Sequence, residues 1–151
     1  MTTTLVALSS DYWSVLGHGV SAILLYSIVG VALMVLGFYV IDWTTPGPLR
    51  TLVQAGRPNA AAVAASGVVS MALIIVLAIY SSSGDLVQGL ITTLVFGLLG
   101  IAAQVLSVRL VGAIKGIDIG GVLAAERFTP QVLVVTASYL AFGLIVAAAI
   151  L

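Results

Sequence analysis

Four long stretches of this chain, residues 17–41, 59–80, 86–108 and 130–151, contain no Asp, Glu, Lys or Arg. A helix of about 22 residues at ~1.5 Å per residue is about 33 Å long, enough to cross a hydrocarbon core of ~30 Å. A soluble domain carries roughly 25% charged residues; this one carries 7%, with 62% hydrophobic residues and a mean hydropathy of +1.29. Lipid, not water, is the solvent such a surface suits, and in lipid every backbone polar group must be paired internally. The reading is an all-α integral membrane bundle of four transmembrane helices.

The same counts exclude several chemistries. The chain has no cysteine, so disulfides, thiolate catalysis and Cys-ligated metals are excluded. His18 stands alone, so a multi-His metal site is not expected, and no cofactor is expected. Net charge is zero, which leaves no basic field for nucleic acid. Lys115 to Gly121 lacks the residue order of a phosphate loop and follows no strand.

Taken in order, residues 1–16 read as an interfacial lead-in with Asp11, Tyr12 and Trp13, and without the basic start of a signal peptide. Residues 17–80 form a first two-helix unit and 86–151 a second, with the chain expected to end where its last span ends. Thr45-Pro46-Gly47-Pro48 is a turn signal, and Leu49, Leu52 and Val53 would share one face of a short amphipathic helix on the membrane surface. The segment 110–128 is amphipathic in the same way. Asn59 is expected to cap the second span and Thr129 the fourth, each beside an arginine, Arg57 and Arg127. When the chain is shifted on itself so that Asn59 falls on Thr129, the elements coincide: span, amphipathic segment, Arg, cap, span. That predicts two parallel repeats related by an axis near the membrane normal.

All five basic residues, Arg50, Arg57, Arg109, Lys115 and Arg127, fall at the ends of spans on one side, while Asp11 and Asp85 mark the other. The positive-inside rule makes both long connections cytoplasmic and both termini external, in a bacterial inner membrane.

Two stripes of small residues recur every four positions, Ala62, Ser66 and Ser70 in the second span and Gly89, Thr93 and Gly97 in the third. Such stripes let helix backbones approach closely. Gln104 and Tyr139 are polar residues inside spans and form a candidate polar path. Arg50, Asp118 and Glu126 form a candidate cytoplasmic patch.

The segment from Gly56 through Arg57-Pro58-Asn59-Ala60-Ala61-Ala62 to Ser66-Gly67, with the duplicated two-helix plan, resembles the bacterial membrane family called domain of unknown function 350. In the second copy Thr129 and Pro130 stand where the family pattern has Asn and Ala. The resemblance implies a small membrane protein of unsettled function and brings no catalytic residues. The expected role is that of a non-enzymatic accessory or scaffold subunit. It would associate with itself or with other membrane proteins through the small-residue stripes. The alternative is an oligomeric transporter or pore subunit for a small solute, with Gln104 and Tyr139 on its path.

Overall fold

The computed structural model describes residues 2–45, 47–82, 85–116 and 118–151, with side chains from Tyr12 onward except at 108, 111, 114 and 115. Pro46, Ser83, Gly84 and Ile117, and the side chains of Asp11 and Lys115, which enter the turn, charge and amphipathicity expectations, lie outside the described residues. The regular structure among the described residues is all helix. The elements are α1 (Thr2–Thr44), α2 (Leu49–Gln54), α3 (Pro58–Ser81), α4 (Leu86–Lys115), α5 (Ile119–Ala124) and α6 (Gln131–Ile150). Of these, α1, α3, α4 and α6 are long and apolar enough to cross a membrane. The protein is therefore a four-span, all-α membrane bundle.

The hub is α3. It packs most extensively on α6, then on α4 and α1, and it also carries α2 and α5. The two halves of the sequence thus meet within one chain. Because α1 and α4 run one way and α3 and α6 the other, α2 and α5 lie together at one end, here called the connection end. The turn between α3 and α4 lies at the other.

Several boundaries differ from the sequence reading. Over residues 2–16 the expected lead-in is helix continuous with the first span, since no proline interrupts it. The sequence places the end of the third span at Val108, yet α4 runs on to Lys115 and closes on Gly116, whose φ of +58° suits a left-handed helix cap. Arg109 ends the apolar run without ending the helix, because charge limits burial in lipid and not helical backbone.

The first connection folds back tightly. Thr44 and Thr45 hydroxyls donate to the Val40 and Ile41 carbonyls, satisfying two of the last acceptors of α1. The Asp42 carboxylate accepts from the Arg50 N–H at 2.8 Å and so caps α2 from upstream. Leu49 is fully buried in the main cluster with Ile41, Val63 and Met71. So α2 is fastened against α3 through the apolar face that Leu49, Leu52 and Val53 share.

The order long helix, short helix, long helix occurs twice, and Leu49 and Ile119, where α2 and α5 begin, are as far apart in sequence as Asn59 and Thr129. The packing register is different. That offset would set Gly89 of α4 level with Gly19 of α1, and Gly97 level with Ser27. Instead Gly89 lies beside Tyr26, and Gly97 beside Leu33. Relative to the symmetric register, α1 is slid toward the turn end by about six or seven positions, about 10 Å at ~1.5 Å each. Its first half therefore stands clear of the bundle, and residues 12–21 are all exposed.

Candidate functional site

Two buried polar assemblies bind the bundle together. The first is at the connection end and is centred on Asn59. Pro58 takes the first helical position of α3, where its missing N–H costs nothing, and Arg57 becomes the cap. Asn59 is thereby inside the helix, and the cap bond expected of it is not made. Its side chain reaches across to the second connection instead. The Asn59 amide donates to the Val122 carbonyl at 2.8 Å, the Arg127 carbonyl at 3.0 Å and Thr129 Oγ1 at 3.2 Å. Its carbonyl oxygen accepts from the Thr129 N–H at 3.1 Å. The two amide protons are shared among those three acceptors; Asn59 is 0% exposed, and its partners all lie within the chain.

Thr129 is correspondingly not a side-chain cap. Pro130 begins the turn into α6, and Thr129 contributes its carbonyl, which accepts from the Val132 N–H at 3.0 Å. Nearby, the Arg57 guanidinium meets Glu126 Oε1 at 3.0 Å, with the Glu126 side chain 83% exposed. Arg127 is exposed and enters the clamp through its backbone oxygen only.

The second assembly lies at the midpoint of α3. Ser70 Oγ is 3.0 Å from Gln104 Oε1 on α4 and 3.0 Å from the Tyr139 carbonyl on α6. Ser70 has one proton to give, and Gln104 Nε2 is buried with no partner in this amide orientation. Giving the Ser70 proton to the Tyr139 carbonyl, with the Gln104 amide turned over to donate to Ser70 Oγ, pairs that nitrogen as well. One serine then joins three helices. The close approach depends on Gly143, where an added Cβ would collide with the Ser70 side chain and stand 3.0 Å from its Cα.

The small-residue stripes are consumed inside the chain. Ser66 and Ser70 are buried, and Ala62 is half-buried against the same core. Gly89 lies beneath the Tyr26 hydroxyl, and Gly97 seats Leu33, with Thr93 fully buried between them. The sequence reading assigns both stripes to other chains. They are covered by α1, α4 and α6, because small residues admit whichever helix the connections bring nearest.

Gln104 is 0% exposed and Tyr139 3%, both enclosed among packed helices of one chain. The Tyr139 hydroxyl points toward the start of its own helix, as helical side chains do, and lies 3.5 Å from Thr45 Oγ1 at the end of α1. The structure does not gather the expected patch. Arg50 lies with Phe38 and Tyr39 beside α1, Glu126 pairs with Arg57, and Asp118 accepts from the Gly121 N–H at the start of α5. Among the described residues no contact joins the three.

Sequence reasoning misses the Asn59 clamp as a contact, although both its ends stand out. Asn59 and Thr129 are the residues that coincide when the two halves are superposed. Two polar side chains at corresponding helix starts in lipid have few partners besides each other.

Comparison with known proteins agrees with this architecture. The chain is 48% identical over 81 residues to a UPF0719 transmembrane protein of Mycobacterium bovis, covering 53% of each. It is 43% identical over 84 residues to another from Mycolicibacterium paratuberculosis, covering 55% of this chain and 56% of that one. The chain spans about half the length of the curated relatives it matches. No solved structure matches. The profile of the family described as Domain of Unknown Function (DUF350) matches residues 14–150, nearly the whole bundle, and the chain belongs to that family.

Proposed function

We propose that this multi-pass protein is a non-enzymatic accessory subunit of a bacterial plasma membrane, and that α1 is the element it presents to a partner. One observation carries the reading. Residues 12–41 are free of charge, a run of about 45 Å at ~1.5 Å per residue. Tyr26 to Thr44 alone gives about 28 Å, close to the ~30 Å core. Even a tilt of ~40°, the upper end for such helices, leaves the full run about 34 Å along the membrane normal, longer than the ~30 Å hydrocarbon core. Val15, Val20, Ile23 and Leu24 lie on the surplus beyond Tyr26 and are exposed, covered by no other helix of the chain. Another membrane polypeptide with an apolar helix of matching reach would cover them.

The basic residues support the orientation proposed with it, connections inside and termini outside. Gln54→Cys and Asp85→Cys, both at exposed positions, test this with a membrane-impermeant thiol reagent on intact cells. Asp85→Cys labels and Gln54→Cys does not; the reverse pattern overturns the orientation.

The association itself is tested by native mass after extraction in mild detergent. The expected result is a second polypeptide in fixed ratio. Val20→Gln with Leu24→Gln should release it, while the part of α1 from Tyr26 to Thr44 still spans. Retention of the partner, or a chain that leaves the membrane alone, overturns the reading. A clean homo-oligomer would instead favour the transport alternative, to which the enclosed Gln104 and Tyr139 lend no support within one chain.

A further inference from the structure

We propose that the furrow between α1 and α3 at the connection end holds one anionic phospholipid, its acyl chain along the furrow and its phosphate at Arg50. A hollow of about 410 Å³ is lined by Met34, Val35, Phe38 and Tyr39 of α1, Val68 of α3 and Arg50 of α2. Met34 also lines a second hollow of about 460 Å³, which continues toward the turn end between Gly30 and Val31 on one side and Ala72 and Ile75 on the other. The α1 positions 30, 31, 34, 35 and 38 share one helix face, as do 68, 72 and 75 on α3. The two hollows are thus one apolar furrow, opened where Gly30 and Ala72 supply little side chain.

Arg50 is what makes the furrow more than bare apolar surface. It stands at the mouth, and its guanidinium makes no ion pair among the described residues. The Asp42 carboxylate beside it is engaged with the Arg50 backbone N–H. A cation held at the edge of hydrocarbon calls for an anion, and a guanidinium fits a phosphate with two parallel hydrogen bonds. Tyr39, exposed at the same mouth, belongs at headgroup level. In a second copy the carboxylates at the level of Arg50 are already engaged within their own chain, Asp42 with the Arg50 N–H, Asp118 with the Gly121 N–H and Glu126 with Arg57. A phospholipid supplies both the anion and the apolar chain in one molecule.

The test is native mass spectrometry of the full chain in mild detergent, mixed with phosphatidylglycerol or phosphatidylcholine. One phosphatidylglycerol per chain is retained, about five-fold better than phosphatidylcholine, the factor expected of one basic residue. Arg50→Gln makes the two lipids equal. Val35→Trp fills the furrow from an exposed position and abolishes retention of both; Ala72→Leu, from the opposite wall, does the same should the tryptophan variant fail to fold. Glycerol phosphate, the headgroup without acyl chains, is not retained. The proposal is overturned if the preference survives Arg50→Gln, if both filling variants keep the lipid, or if glycerol phosphate binds alone. It is also overturned if Val35→Cys, the sole cysteine of that variant, gives a disulfide-linked dimer in membranes, because a second copy would then occupy the furrow.

Discussion

The two ends of the bundle are built on opposite terms. At the connection end polar groups are paired within the chain: Asn59 to the second connection and Arg57 to Glu126 across the two halves, and Asp42 to α2 and Asp118 to α5 within each half. At the other end α1 simply outruns its neighbours. Tyr26 meets Ser82 at 3.2 Å where α3 ends, and the helix continues beyond with an apolar, uncovered surface. In lipid, apolar contact gives little drive for one helix to seek another, so packing and hydrogen bonds must supply it. The contrast teaches that the chain fastens itself with polar contacts at one end and leaves the other apolar and uncovered.

The largest expected effect comes from breaking the fastened end at its centre. Asn59→Leu leaves two backbone carbonyls and the Thr129 N–H without their partner in a buried place. Each such loss costs about 1–3 kcal/mol, and a total of about 3–4 kcal/mol is expected in a denaturant titration in micelles. A loss below about 1 kcal/mol would mean that the two connections are held by apolar packing alone. Next comes Gly143→Ala, which drives a methyl group into Ser70 and should cost about 2 kcal/mol by overpacking. An unchanged midpoint would show that α3 and α6 separate freely at that level.

How much of this is legible in the sequence divides along the same line. The four spans are readable because a charge-free run of about 22 residues has few other fates. The small stripes are readable as packing surfaces, but not which helix fills them: Gly97 takes Leu33 of its own chain, a choice made by the connections and the slide of α1. Asn59 is readable as a helix-start residue, and its role is not, because Pro58 at the first helical position moves the cap back from Asn59 to Arg57 and the buried Asn side chain meets the second connection instead. The excess length of α1 is partly hidden when residues 1–16 are read as a separate lead-in. No proline interrupts the helix there, and Ser9, Ser10, Asp11, Gly17 and Gly19 do not suffice to break it.

Smaller effects sharpen the comparison between the middle of the bundle and its rim. Gln104→Leu removes a hydrogen bond worth ~0.6 kcal/mol in a membrane interior. It also removes an amide that is hard to satisfy fully, and replacing a polar group by an apolar one of similar shape is close to neutral. The net change should lie within about 1 kcal/mol of zero, far below that of Asn59→Leu, although both side chains are 0% exposed. A cost as large as the Asn59 variant would mean that the amide makes a bond its surroundings do not account for. Glu126→Gln should change stability least of all, within about 0.5 kcal/mol, because the carboxylate is 83% exposed and water competes for Arg57. That last pair discriminates between two views of the connection end. If it is held by charge, raising the salt concentration and Glu126→Gln weaken it alike. If it is held by the enclosed Asn59, neither does, and the clamp persists at salt concentrations that erase surface ion pairs.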